Sequence, residues 1–153
     1  MKKELAVVLA VFCVIAFCMA PAAASAEDSV KKTDDIIISP LVIPIGEPKS
    51  SITGSIVQGQ VKNYNYDVPA GSTYMYIRLS WSSTSNNLQL KFTSPTGVTY
   101  GNYDDYYESS IPNAIIPIEI NSGTVLPSGL WEFQIKGKTV SGSEPFTLIV
   151  NTA

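Results

Sequence analysis

The sequence predicts an all-β fold, an antiparallel β-sandwich of jelly-roll-like form with seven to eight strands, and three observations carry that expectation. From Ile52 onward, apolar and polar residues alternate with period two over short stretches. Turn residues separate these stretches about every ten positions. No segment shows a convincing helical period.

The first element is not part of the fold. Lys2 and Lys3 precede an apolar run from Leu5 to Met19, and small residues end at Ala24, Ser25 and Ala26. This order reads as a signal peptide over residues 1–26, cleaved after Ala26. The apolar run falls short of the ~20 residues that span a bilayer, and Pro21 interrupts any extension. Cys18 follows Phe17 rather than a small residue, which argues against a lipid-acceptor cysteine. Cys13 and Cys18 then leave with the signal, so the mature chain has no disulfide and depends on its core. What remains suffices for one domain, burying roughly two-thirds of the surface its unfolded chain exposes.

Residues 27–51 read as a leader. Glu27 to Asp35 is polar and charged, with nothing to bury. Ile36 to Ile45 is strongly apolar but carries Pro40 and Pro44, which cannot donate to a sheet ladder and allow only an edge strand or extended chain. The domain proper is expected over residues 52–153. Tyr64, Tyr66 and Val68 share one strand face, with Asn63, Asn65 and Asp67 on the other, and Pro69-Ala70-Gly71 ends the strand. In the next strand, Ser72 to Trp81, Met75, Ile77 and Leu79 point inward, leaving Tyr74, Tyr76 and Arg78 outward. Leu88, Leu90 and Phe92 repeat the pattern. Ser94-Pro95-Thr96-Gly97 suits a type I turn and returns Val98 to Tyr100 as a hairpin arm. Ile115 to Ile120 is a strand that Pro117 assigns to an edge or a bulge. Trp131, Phe133 and Ile135 share a face. Gly137 to Pro145 reads as a hairpin loop before Phe146, Leu148 and Val150. Trp81 fits either the core or the outward patch.

Composition excludes several functions. The chain has no histidine, which removes the commonest general base and zinc ligand and every Ser-His or Cys-His nucleophile. An enzyme is therefore not expected. Beyond residue 26 there are eight basic and twelve acidic residues, with no basic cluster beyond Lys31 and Lys32. Nucleic acid is not an expected partner, nor is a membrane surface once the signal is removed.

The order of elements resembles the bacterial and archaeal prepeptidase C-terminal domain. The resemblance rests on Asp67-Val68-Pro69-Ala70-Gly71, the alternating strand after it, Leu88-Gln89-Leu90, and Ser94-Pro95-Thr96-Gly97. It continues through Gly129-Leu130-Trp131-Glu132-Phe133-Gln134-Ile135 and Pro145-Phe146-Thr147-Leu148-Ile149-Val150, covering roughly Ser55 to Val150. It implies a jelly-roll-like sandwich acting as a non-catalytic accessory module of secreted proteins. Some relatives bind calcium through acidic residues beside the leucine pair. Here the matching positions are Asn86 and Asn87, so that site is not carried over.

Two constellations are candidate sites. Tyr100 to Glu108 joins four tyrosines to three carboxylates in one expected loop. Asp104, Asp105 and Glu108 offer hard oxygen ligands to calcium, and no other cofactor is expected. Tyr103, Tyr106 and Tyr107 offer rigid amphipathic surface to a partner. The third reading is a solvated loop whose rings cover the end of the sandwich. Tyr74 and Tyr76 form the second constellation, either a contact stripe or ordinary cross-strand pairing. Together these readings describe a secreted module in the extracellular space or cell envelope, contacting a protein or polysaccharide. The alternative is a partner or maturation factor of a separately encoded secreted peptidase.

Overall fold

The computed structural model of the chain describes residues 36–40 and 50–153. The expected signal peptide, the polar leader and the apolar residues that follow Pro40 lie outside the described residues.

The described residues form nine strands: β1 (Ile37–Pro40), β2 (Ser50–Val57), β3 (Val61–Val68), β4 (Tyr74–Trp81), β5 (Asn87–Thr93), β6 (Thr99–Asp104), β7 (Ile115–Asn121), β8 (Gly129–Thr139) and β9 (Ser143–Thr152). They make two sheets, of order β1-β7-β4-β9-β2 and β3-β8-β5-β6, with every pairing antiparallel. The fold is a β-sandwich, with no helix among the described residues, as the alternation predicts.

The two inner faces differ in chemistry. The five-stranded sheet presents an aliphatic layer in which Met75, Ile77, Leu79, Ile116, Ile118, Ile120 and Leu148 are fully buried. The four-stranded sheet answers with rings. Phe92 on β5 lies 5.4 Å from Tyr100, 5.8 Å from Tyr103, 6.2 Å from Trp131 and 6.0 Å from Phe133, measured between centroids. Trp131, completely buried, contributes ~4 to 6 kcal/mol of gross transfer free energy, and its Nε1–H donates to the Pro127 carbonyl at 2.8 Å. Trp81 belongs to the core, only 8% exposed.

Three expectations are corrected. The segment from Gly137 to Pro145 is not a hairpin loop: β8 runs on to Thr139, β9 starts at Ser143, and the two strands belong to different sheets. Among the strands from β2 to β9, only β5 and β6 form a hairpin, while the other six connections cross between sheets. Turn chemistry marks where a chain reverses but not which sheet receives it. The Tyr100 to Glu108 loop is half strand, because β6 extends to Asp104. Finally, β7 lies inside its sheet, between β1 and β4. Among the described residues β1 pairs only as far as Ile118, so none of them stands opposite Pro117 on that side, where a missing N–H is tolerated.

The corner between β2 and β3 depends on Gly137. Its carbonyl accepts from the Gly59 N–H at 2.9 Å, and its own N–H donates to the Gln60 carbonyl at 3.0 Å. A Cβ at this position would stand 2.3 Å from the Val57 carbonyl oxygen, an atom of fixed backbone. Gly137→Ala is expected to destabilise the fold by about 3 kcal/mol. Gly142→Ala, at a left-handed φ of 76° but in open space, is expected to cost about 1 kcal/mol. Urea denaturation of both variants measures the difference.

Candidate functional site

The connections β2–β3, β4–β5, β6–β7 and β8–β9 all gather at one end of the sandwich. Polar side chains lock them to one another. Glu144, 2% exposed at the start of β9, accepts at Oε1 from the Ser82 N–H (2.7 Å) and the Ser83 N–H (3.2 Å), and at Oε2 from Asn86 Nδ2. Asn86 is committed in turn. Its Oδ1 accepts from the Ser141 N–H at 2.9 Å, and its backbone carbonyl accepts from Trp81 Nε1 at 3.0 Å. Gln58 joins the β2–β3 corner to the same connection: Oε1 accepts from the Val140 N–H at 2.6 Å, and Nε2 donates to the Lys138 carbonyl at 3.0 Å.

Asp105 performs the matching task in the β6–β7 connection. It is 1% exposed, and its Oδ1 accepts from the Asn113 N–H (3.1 Å) and the Ala114 N–H (2.9 Å). These bonds hold Ala114 at a φ of 61°, a left-handed conformation that L side chains adopt at a cost. Asp105 Oδ2 is buried without a hydrogen-bond partner.

Between these connections lies a cleft of about 310 Å³. Ser85, Asn87, Asp105, Lys138 and Thr139 line it with polar groups, and Tyr106 and Pro112 stand on the β6–β7 side. Tyr106 is 57% exposed, and Ile111 in the same connection is 74% exposed. Lys138 forms an ion pair with Asp104. The arrangement offers hydroxyl and amide partners, one cation, one uncommitted buried acceptor and an exposed ring beside them.

The residues singled out in the sequence separate in space. Asp104, Asp105 and Glu108 do not converge: Asp104 faces Lys138, Asp105 faces backbone N–H groups, and Glu108 accepts from Asn113 Nδ2 at 2.8 Å. Among the described residues no group of three or more His, Cys, Asp or Glu side chains is placed to hold a metal ion. Tyr103 turns inward onto Phe92, and Tyr107 meets it edge-on with centroids 4.6 Å apart. Only Tyr106 of this trio is open. Tyr76, expected to point outward, is 7% exposed, and Tyr74 is half-buried with a hydroxyl that is enclosed and unpartnered. Glu144 and Lys138 carried no signal in the sequence, because a lone carboxylate in a polar turn and a lone lysine at a strand end look like solvated surface.

Burial shifts these phenols. Desolvation first, then the charge of Glu119, pushes Tyr74 up to about 12, and desolvation with neighbouring Tyr107 pushes Tyr103 up to about 12. Desolvation also raises Tyr76, opposed by the charge of Arg78 and its hydrogen bond. The chain has no match among family models, and none among curated proteins.

Two outcomes follow from this chemistry. In Glu144→Gln the amide oxygen must take the two backbone N–H groups, so its Nε2 confronts Asn86 Nδ2, which cannot flip while Asn86 Oδ1 serves Ser141. A loss of about 2 to 3 kcal/mol is expected in chemical denaturation. Tyr74 and Tyr103 keep their protons to about pH 12 when folded, whereas unfolded tyrosine releases them near 10. Their contribution is therefore complete below pH 10 and lost as pH rises toward 12, because the unfolded state then binds fewer protons. Ultraviolet tyrosinate titration should show late-ionising phenols, with one removed by Tyr74→Phe and one by Tyr103→Phe.

Proposed function

We propose that this chain is an exported, non-catalytic binding module that works outside the cytoplasm or at the cell surface, and that its partner is a hydroxyl-rich polysaccharide of the cell envelope or surroundings. The observation that carries this reading is the polar cleft at the end of the sandwich, with the exposed Tyr106 ring beside it. A saccharide presents hydroxyl donors, which Asn87 accepts, and hydroxyl oxygens, which Lys138 serves. It also presents an apolar ring face, which stacks on tyrosine. Binding surfaces of this kind sit on connections held by a rigid scaffold.

Non-catalytic action agrees with a sequence that lacks histidine and with carboxylates already engaged in structure: Glu144 on backbone N–H groups, Asp104 on Lys138. Of the five tyrosines proposed as contacts, Tyr74, Tyr76, Tyr103, Tyr106 and Tyr107, the reading rests on Tyr106. The resemblance to the prepeptidase C-terminal domain supports accessory action and leaves a secreted peptidase as the alternative partner.

Retention on polysaccharide isolated from the producing cell's envelope tests the proposal. Tyr106→Ala should weaken retention about 30-fold, the effect of losing an anchor worth about 2 kcal/mol. Val125→Ala, an exposed apolar residue at the opposite end, should leave it unchanged. Equal retention of the Tyr106 variant, or recovery of a secreted peptidase with no polysaccharide binding, would overturn this reading.

A further inference from the structure

We propose that strand β2 is the surface through which two copies of this chain associate, edge to edge, continuing the five-stranded sheet across a two-fold axis. The sandwich has four edge strands, β1 and β2 in one sheet and β3 and β6 in the other. An edge presents unpaired N–H and C=O groups, which natural proteins blunt by shortness, proline, charge or a bulge. Three of the four carry such a device. The first, β1, has four residues and ends on Pro40. Lys62 and Asp67 charge β3. The pairing of β6 breaks at Gly101 and Asn102, where φ is 126° and 70°, and the strand ends on Asp104.

Strand β2 carries none of these. Its eight residues contain no charge and no proline, and its register with β9 is unbroken from Ser50 opposite Val150 to Val57 opposite Ser143. Among the described residues no strand pairs with its other edge. The direction of its free groups can be read at its end. The Val57 N–H donates to Gln60 Oε1 at 3.2 Å and its carbonyl accepts from the Gln60 N–H at 3.1 Å, so the Val57 backbone points away from β9. Alternate residues of an antiparallel strand face the same way, which places the N–H and C=O groups of Ser51, Thr53 and Ser55 on the open edge.

A second copy is the occupant that fits. An uncharged strand meets its own image without like-charge repulsion, and Ser51, Thr53 and Ser55 have exposed side chains of the type that pairs favourably across antiparallel strands. A two-fold axis also closes the assembly, because each copy uses its one unblunted edge and offers no other. A ladder of eight residues or fewer buries less than a standard interface, so the dimer is weak and concentration-dependent.

Sedimentation equilibrium of the protein purified after expression of the full sequence tests this, up to about 0.1 mM. The wild type should approach twice the monomer mass. Thr53→Lys with Ser55→Lys should be monomeric, as should Thr53→Glu with Ser55→Glu, each with unchanged β circular dichroism and melting. An equimolar mixture of the two should recover the dimer. Thr53→Pro, which removes an open-edge N–H and spares the bonds to β9, should also be monomeric. A wild type that stays monomeric at every concentration would overturn the proposal. So would like-charged variants that remain dimeric, or a mixture that fails to associate.

Discussion

A buried carboxylate organises the end of the sandwich that carries the candidate site. Glu144 takes three N–H donors from the β4–β5 connection, and the last, Asn86 Nδ2, belongs to a side chain whose other end holds the β8–β9 connection. Burying a charge is costly unless hydrogen bonds replace its hydration, and here each oxygen is engaged. Because Glu144 and Asn86 specify each other's orientation, two connections that cross between the sheets are held in a single geometry. The cleft lies against them. Asn87 and Lys138 themselves sit on the paired strands β5 and β8, so the ladder sets their spacing while Glu144 and Asn86 fix the connections beside them.

Beneath that end, the sandwich is closed by unlike layers. Rings on β5, β6 and β8 meet a mostly aliphatic layer on β4, β7 and β9. Tyr100 and Tyr103 both reach Phe92 only because the irregularity in β6 shifts the register between them. Gly101 makes that shift possible: its φ is 126°, and a Cβ there would meet the Lys91 backbone at 2.8 Å. The same bulge sends Asp104 toward Lys138 and leads the chain into the connection that carries Asp105 and Tyr106. Core packing and site geometry are therefore linked through one glycine.

The fold was legible in the sequence wherever period-two alternation reports burial directly. Met75, Ile77 and Leu79, Leu88, Leu90 and Phe92, and Trp131, Phe133 and Ile135 all face inward as expected. Sheet membership was not legible, since Gly137 to Pro145 has hairpin composition but joins different sheets. A strand boundary hidden by polar residues misled in the same way, with Gly101 and Asn102 reading as loop inside β6. At the site, the Asp105 and Tyr106 segment was found through its density of tyrosine and acid. Glu144 and Lys138 escaped notice because they gain significance from neighbours some 34 to 62 positions distant along the chain, and Asn86 was noticed only as a position lacking a calcium-binding carboxylate. Tyr76 shows the limit of alternation. Pointing away from the core is not the same as exposure, and its ring is buried on the opposite face of the sheet.

The most direct test of the account is a map of backbone amide shifts by nuclear magnetic resonance as solubilised envelope polysaccharide is added. Shifts should concentrate at Ser85, Asn87, Tyr106, Lys138 and Thr139, around the cleft. Shifts confined to the opposite end, near Gly71, Gly97 and Val125, or no shifts at any polysaccharide concentration, would contradict it.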